Sequence, residues 1–124
     1  MKEITINNQK VVFEYKGEQV FCTSLDIARV FEKRHTDILR LIREKFKDKN
    51  IEDFNERNFA LVTYKDPKGE SRPSYLISRD GFSFIAMGLT GSKADVWKIA
   101  FINACNAMEK ELLAQSQILL KLFK

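Results

Sequence analysis

Between Phe31 and Phe46 the chain reads FEKRHTDILRLIREKF, and this stretch with the lysine after it holds the side chains best suited to chemistry. Lys33, Arg34, His35 and Thr36 come first. Arg40, Arg43 and Lys47 follow at steps of three and four. Arginine offers a planar fork of donors that meets a guanine edge or a phosphate with two bonds. Lysine meets phosphate as a point charge, and threonine brings a methyl and a hydroxyl to a base edge. These residue types in this order suit the binding of a polyanion. Residues 29–49 carry eight basic and four acidic groups, a local excess equal to the net charge of +4 for all 124 residues. A local basic excess of this kind attracts phosphates, although a lysine-rich helix is also common as plain solvated surface.

Turnover has no comparable support. His35 is the only histidine, so no histidine metal cluster is expected, and Cys22 and Cys105 stand far apart without a CxxC pattern. Each reads as a buried free thiol. No GxSxG, GxGxxG, HExxH or Walker spacing occurs, and GLTGSK at 88–93 has only a passing likeness to a phosphate loop. Asp26, Asp37, Asp53, Asp66 and Asp80 are scattered at places where caps and turns favour aspartate. The expectation is a protein that is not an enzyme and needs no metal or cofactor. No apolar run is long enough for a bilayer, and the charged, alternating start is unlike a signal peptide. A cytoplasmic location and no membrane partner follow as expectations.

The elements that must position the basic stretch can be read from periodicity. Ile4 and Ile6 alternate with polar residues before Asn7-Asn8, and VVFEY and QVFCT flank Lys16-Gly17-Glu18, so strands joined by tight turns open the chain. Thr23 or Ser24 caps a short helix that buries Ile27, Ala28, Val30 and Phe31, and Thr23, with Asp26 three residues on, resembles a capping box. After a break at KRH, a second helix is predicted from about Thr36 to Lys47, with Ile38, Leu41 and Ile42 inward and Arg40, Arg43 and Lys47 outward. Two short helices across a tight turn form a helix-turn-helix. NIEDFNERN reads as a polar loop. FALVTY and RPSYLIS bracket Asp66-Pro67-Lys68-Gly69, which is type I turn chemistry, so a second hairpin follows with Lys65, Lys68 and Arg72 at its tip. Ser78 caps a short helix predicted to end at a left-handed Gly88. A long helix from about Lys93 then carries an apolar stripe through Trp97, Ala100, Phe101, Ala104 and Met108. Cys105, Met108, Leu112, Gln115, Leu119 and Leu122 continue it at steps of three and four, which marks Met108, Leu112, Leu119 and Leu122 as a candidate pairing face between two copies.

A basic hairpin after a helix-turn-helix is the plan of a winged helix. On that plan the start of the second helix reads base edges and the hairpin touches the flanking backbone. The candidate DNA-binding residues are therefore Lys33, Arg34, His35, Thr36, Arg40, Arg43, Lys47, Lys65, Lys68 and Arg72. His35 stands between a DNA contact and a structural cap. Asp37 suits the helix dipole better than base reading.

Several words of the sequence also resemble a known family. KRH at 33–35, FNERNF at 54–59, YLISRDGF at 75–82, MGLTGSKA at 87–94 and INACNAMEKEL at 102–112 are, in this order, similar to the Rha family of phage regulatory proteins. The resemblance covers about residues 20–112. It implies a phage or prophage regulator presumed to act on DNA, and a layout like the amino-terminal domains of BRO-type viral proteins and phage antirepressors. Many members of the family carry a further C-terminal domain, so this chain is either a short member or a fragment. The resemblance transfers no catalytic residues. Surface roles for Arg79 and Lys93, or only packing and close helix approach at Gly81 and Gly91, both fit the RDGF and LTGSKA words.

The expected fold is α+β and winged-helix-like: an N-terminal β-hairpin, a helix-turn-helix, a second β-hairpin, a short helix and a long C-terminal helix. Residues 1–112 are expected to form the DNA-binding domain and 113–124 a helical extension suited to dimerisation. The expected function is a phage-derived transcriptional regulator on duplex DNA. The alternative is an antirepressor-type module that binds a repressor or host protein. RNA binding would need aromatic rings exposed on the sheet, and Phe13, Phe21 and Phe59 read as buried.

Overall fold

A computed structural model describes residues 2–122. Five antiparallel strands form one sheet: β1 (Lys2–Ile6), β2 (Gln9–Lys16), β3 (Gln19–Thr23), β4 (Phe59–Lys65) and β5 (Ser71–Ser78), in the order β1-β2-β3-β5-β4. Local turn chemistry makes the hairpins. Asn7 and Asn8 both take positive φ, 53° and 58°, as the tight turn between β1 and β2 requires. Gly17 does the same at the next turn, with φ 64°. At the β4–β5 tip, Gly69 donates to the Asp66 carbonyl at 2.9 Å and takes φ 83°.

Helix α1 (Ser24–Val30) begins where Thr23 Oγ1 accepts from the Asp26 N–H at 3.1 Å. Asp26 is buried and its carboxylate is held by Arg29. Burial raises its pKa, against the lowering effect of that arginine. The helix stops by a paired backbone motif. Lys33 N–H reaches the Ala28 carbonyl at 2.9 Å and Glu32 N–H reaches Arg29 at 3.3 Å, with Glu32 left-handed at φ 55°. Glycine usually fills that position, and a side chain there costs on the order of 1 kcal/mol. The turn therefore points the chain sharply into α2 (His35–Phe46).

The polar segment after α2 is not a loop. Lys49–Ile51 form a 3-10 turn and Glu52–Asn58 form α3. The polar residues are there to be bonded: Asn55 Nδ2 donates to the Lys45 carbonyl at 3.0 Å, and Asn58 Nδ2 to the Phe54 carbonyl at 2.8 Å. Phe54 meets Phe84 with ring centroids 5.3 Å apart.

Ser78 caps α4 (Arg79–Ile85) by accepting from the Gly81 N–H at 3.1 Å. Gly81 permits a close approach: a Cβ there would lie 2.7 Å from the Asn58 carbonyl oxygen. Gly88 is not the left-handed cap expected of it. It lies in a 3-10 turn, Ala86–Gly88, and gives room to Leu41, whose Cδ2 would be 3.0 Å from a Cβ. The left-handed glycine before the last helix is Gly91, at φ 117°.

Helix α5 (Ser92–Leu122) is 31 residues long, about 46 Å at 1.5 Å per residue. Its first half closes the core. Phe101 is fully buried between Phe13, Phe31 and Phe82, at centroid distances of 6.1, 5.8 and 4.7 Å, and Trp97 packs edge-on to Phe31. Arg79 ties α4 to α5 through Glu109 at 2.7 Å and Asn106 at 3.0 Å. Met108 belongs to this core at 1% exposure, which removes it from the candidate pairing face. From Leu113 every described residue is exposed, including Leu113, Ile118, Leu119, Leu120 and Leu122.

Both cysteines are buried and free. Burial pushes the Cys105 thiol up to about 12 and Cys22 well above its ordinary value, so neither is a nucleophile at neutral pH.

Candidate nucleic-acid interface

Ile38, Leu39 and Ile42 bury one face of α2. The opposite face carries Thr36, Arg40, Arg43 and Lys47 at i, i+4, i+7 and i+11, all exposed. One helix face therefore presents three cations and a hydroxyl in line, with Lys33 and Arg34 exposed just before it.

The β4–β5 hairpin is fixed beside the start of this helix. Strand β3 pairs only with Leu76, Ile77 and Ser78 of β5. The length from Ser71 to Tyr75 pairs with β4 alone, so the far end of the hairpin is a two-stranded arm. His35 joins the arm to the helix. Its Nε2 lies 2.8 Å from Ser24 Oγ, and its ring meets Tyr64 at 5.7 Å. Ser24 Oγ also accepts from the Tyr75 N–H at 3.0 Å and lies 3.0 Å from Ser74 Oγ. One buried serine thus ties the starts of α1 and α2 to β5. Burial, and after it the Arg43 guanidinium, lowers the His35 pKa, so the ring is neutral at pH 7. His35 is the first residue of α2 rather than its cap, and in this network it is a strut; Arg34 occupies the cap position without a side-chain cap bond. Ser24 is the alternative cap to Thr23 in the sequence reading; Thr23 is the cap, and the serine's role as a tie is not legible in sequence because its partners lie up to 51 residues away.

The cations divide into two groups. Asp37 accepts from Arg34 Nε at 3.1 Å and from Arg40 Nη2 at 2.6 Å, and Glu44 holds Lys47 at 2.9 Å. Arg72 is held by Asp66 at 3.1 Å and Glu70 at 2.9 Å. Arg34 first, then Arg40, keeps the Asp37 carboxyl below the usual carboxylate range. Lys33, Arg43, Lys65 and Lys68 make no ion pair among the described residues, although Lys65 reaches Ser71 Oγ at 2.9 Å. Phe13, Phe21 and Phe59 are buried and offer no stacking platform on the sheet.

Comparison with known proteins gives this geometry a context. The family model described as "Phage regulatory protein Rha" matches residues 22–110. The chain belongs to the Rha family of phage regulatory proteins. Its matched span runs from β3 to the buried half of α5, and takes in α1, α2 and the arm. A protein of Haemophilus influenzae is 33% identical over 109 residues, 87% of this chain and 63% of that protein. A 22.8 kDa protein of Salmonella phage P22, encoded between gp15 and gp3, is 32% identical over 124 residues, 94% and 60% of the two chains. The SPbeta prophage-derived protein YoqD of Bacillus subtilis, named as a candidate antirepressor, is 31% identical over 114 residues, 87% and 43%. The chain spans less than two thirds of the length of each of these relatives. No solved structure matches it. The Rha assignment makes the chain part of a phage regulatory family, and among its described residues no helix is long and apolar enough to cross a membrane.

Proposed function

We propose that this Rha-family chain is a cytoplasmic regulator from a phage or prophage that binds duplex DNA, with α2 in the major groove and the β4–β5 arm against the flanking backbone. The observation that carries the reading is the exposed line of Thr36, Arg40, Arg43 and Lys47, opposite a fully packed face and beside a basic arm. Arg34 and Arg40 suit base edges near the start of the helix. Lys33, Arg43, Lys65 and Lys68 suit phosphates, and Lys47 does so only once it leaves Glu44. Arg72 must first leave Asp66 and Glu70. Selection of bound fragments from random duplex DNA would define the site. On the selected sequence, Arg34→Ala and Arg40→Ala are each expected to weaken binding about 5- to 100-fold. Lys110→Ala, on an exposed position of α5, is expected to leave it unchanged. Equal losses at all three, read by fluorescence anisotropy, would remove the recognition-helix assignment.

Residues 1–112 would form the DNA-binding part and 113–122 a helical extension that pairs two copies; residues 1, 123 and 124 of the expected bounds lie outside the described residues. Leu112, Leu119 and Leu122, with Leu113, Ile118 and Leu120 beside them, supply the apolar surface. Two copies would read paired half-sites. Truncation after Leu112 is expected to halve the sedimentation mass, and an unchanged mass would exclude the pairing.

A second reading makes the chain an antirepressor that holds a repressor or host protein. The same exposed apolar end of α5 and the name carried by the Bacillus subtilis relative favour it. Absence of DNA binding even at low salt would select this reading.

A further inference from the structure

The cleft between the end of α2 and α3 has a chemistry opposite to that of the basic face. Phe46, Lys49, Glu52, Asn55 and Glu56 line it, and it has a volume of about 230 Å³. Glu52 and Glu56 are one helical turn apart and exposed, and neither forms an ion pair among the described residues. Asn55 lies between them at 2% exposure. Its Nδ2 donates to the Lys45 carbonyl at 3.0 Å, which fixes the orientation of the amide. Its Oδ1 is the one buried side-chain polar atom without a hydrogen-bond partner among the described residues. A buried acceptor left unpaired is costly, and such an atom calls for an explanation such as strain, a bound water or ion, or a functional role. Phe46 is 40% exposed, and its ring is held by Phe59 and Tyr75 at 5.9 and 5.7 Å. The last carbonyls of α2 add partial negative charge.

We propose that this cleft receives an arginine side chain from a protein partner. A guanidinium is flat, carries five donors and keeps its charge. It can divide those donors between Glu52 and Glu56 while its face rests on the Phe46 ring, and a small opening of the cleft floor would bring a further donor to the buried Asn55 Oδ1. The space is below the roughly 300 Å³ at which small-molecule sites begin, and suits one long side chain. Lys49 stands on the rim as the single base in the lining, so the carboxylates outnumber it and phosphate is disfavoured. The occupant is thus an arginine on a protein surface, and the site is separate from the DNA reading of α2.

The test uses the full chain, labelled with ¹⁵N. It is titrated with acetyl-Gly-Arg-Gly-amide and with the same peptide carrying citrulline, a neutral isostere of arginine. Arginine is expected to shift the amides of Phe46 and of residues 49–56 in a saturable way, at millimolar concentration. Citrulline is expected to bind at least fivefold more weakly. The surface double variant Glu52→Gln/Glu56→Gln, its fold checked by its amide spectrum, is expected to lose the arginine response. No shift in these residues, an equal response to citrulline, or a response that survives the double substitution would overturn the proposal.

Discussion

Phe101→Ala is expected to destabilise the fold by about 3–5 kcal/mol, the usual cost of emptying a buried phenylalanine site. Phe101 has no exposed surface and joins four elements: its own helix α5, β2 through Phe13, the end of α1 through Phe31, and α4 through Phe82. Small domains hold about 5–15 kcal/mol in all, so the loss is a large fraction of the total. In thermal unfolding it corresponds to a fall of about 10–20 °C. Lys110→Ala, at an exposed site of the same helix, is the control and is expected to stay within about 0.5 kcal/mol. The effect reaches function through Phe31. That residue is the C-cap of α1, immediately before the left-handed turn at Glu32 that aims α2. Loss of the ring beneath Phe31 would loosen the turn, so DNA affinity should fall with stability as temperature rises. If urea titration gave a cost as small as that of Lys110→Ala, the aromatic cluster would not be the centre of the core.

What the sequence discloses follows from how local the cause is. The turns at Asn7-Asn8, Gly17 and Asp66–Gly69 need particular residues in particular conformations, and each stands where those residues stand. The same is true of the Thr23 and Ser78 caps. The two faces of α2 follow from a period of 3.6; the basic face is as predicted, while the buried face turns toward Leu39, with Leu41 only partly buried. Errors arose where distant contacts decide. EDFNERN is helical because Phe54, Asn55 bonded to the Lys45 carbonyl and Asn58 bonded by Ser78 pack it against its neighbours, and a polar segment carries no periodic sign of that. Gly88 is small for the sake of Leu41, which is far away in sequence. Met108 has coiled-coil spacing, but the spacing of a pairing face and of an internal stripe is the same, and only the sheet beneath shows which it is. The candidate DNA residues were legible as types. Their pairing was not, and pairing alters what each can do: Asp37 holds two of the arginines that sequence offers to DNA.

That division sets the expected dependence on salt. Eight cations lie on the proposed surface, and four of them, Arg34, Arg40, Lys47 and Arg72, already hold carboxylates. Each phosphate that a cation neutralises contributes about −0.9 to the slope of log affinity against log salt. If only Lys33, Arg43, Lys65 and Lys68 meet phosphates, the slope is about −4 per copy, and a rise from about 50 to about 200 mM salt weakens binding about 100-fold. If all eight cations do so, the slope is about −7 and the loss about 10,000-fold. The smaller value is expected, because an arginine that leaves Asp37 exchanges one anion for another and gains less. Asp37→Asn frees Arg34 and Arg40 together; with both on base edges, affinity should rise while the slope stays nearly unchanged, and a slope steeper by about 2 would place them on phosphates instead. Mild acid should not imitate that substitution. The Asp37 carboxyl is held below the usual range, so it stays ionised as pH falls past the point where an ordinary aspartate is protonated. His35 is shifted the same way by burial, so it gains its charge only below the ordinary histidine value. The slope should therefore be nearly constant from about pH 8 to about pH 6. A slope near zero in that range would mean that no phosphate is neutralised, and the polyanion reading of α2 would fail with it.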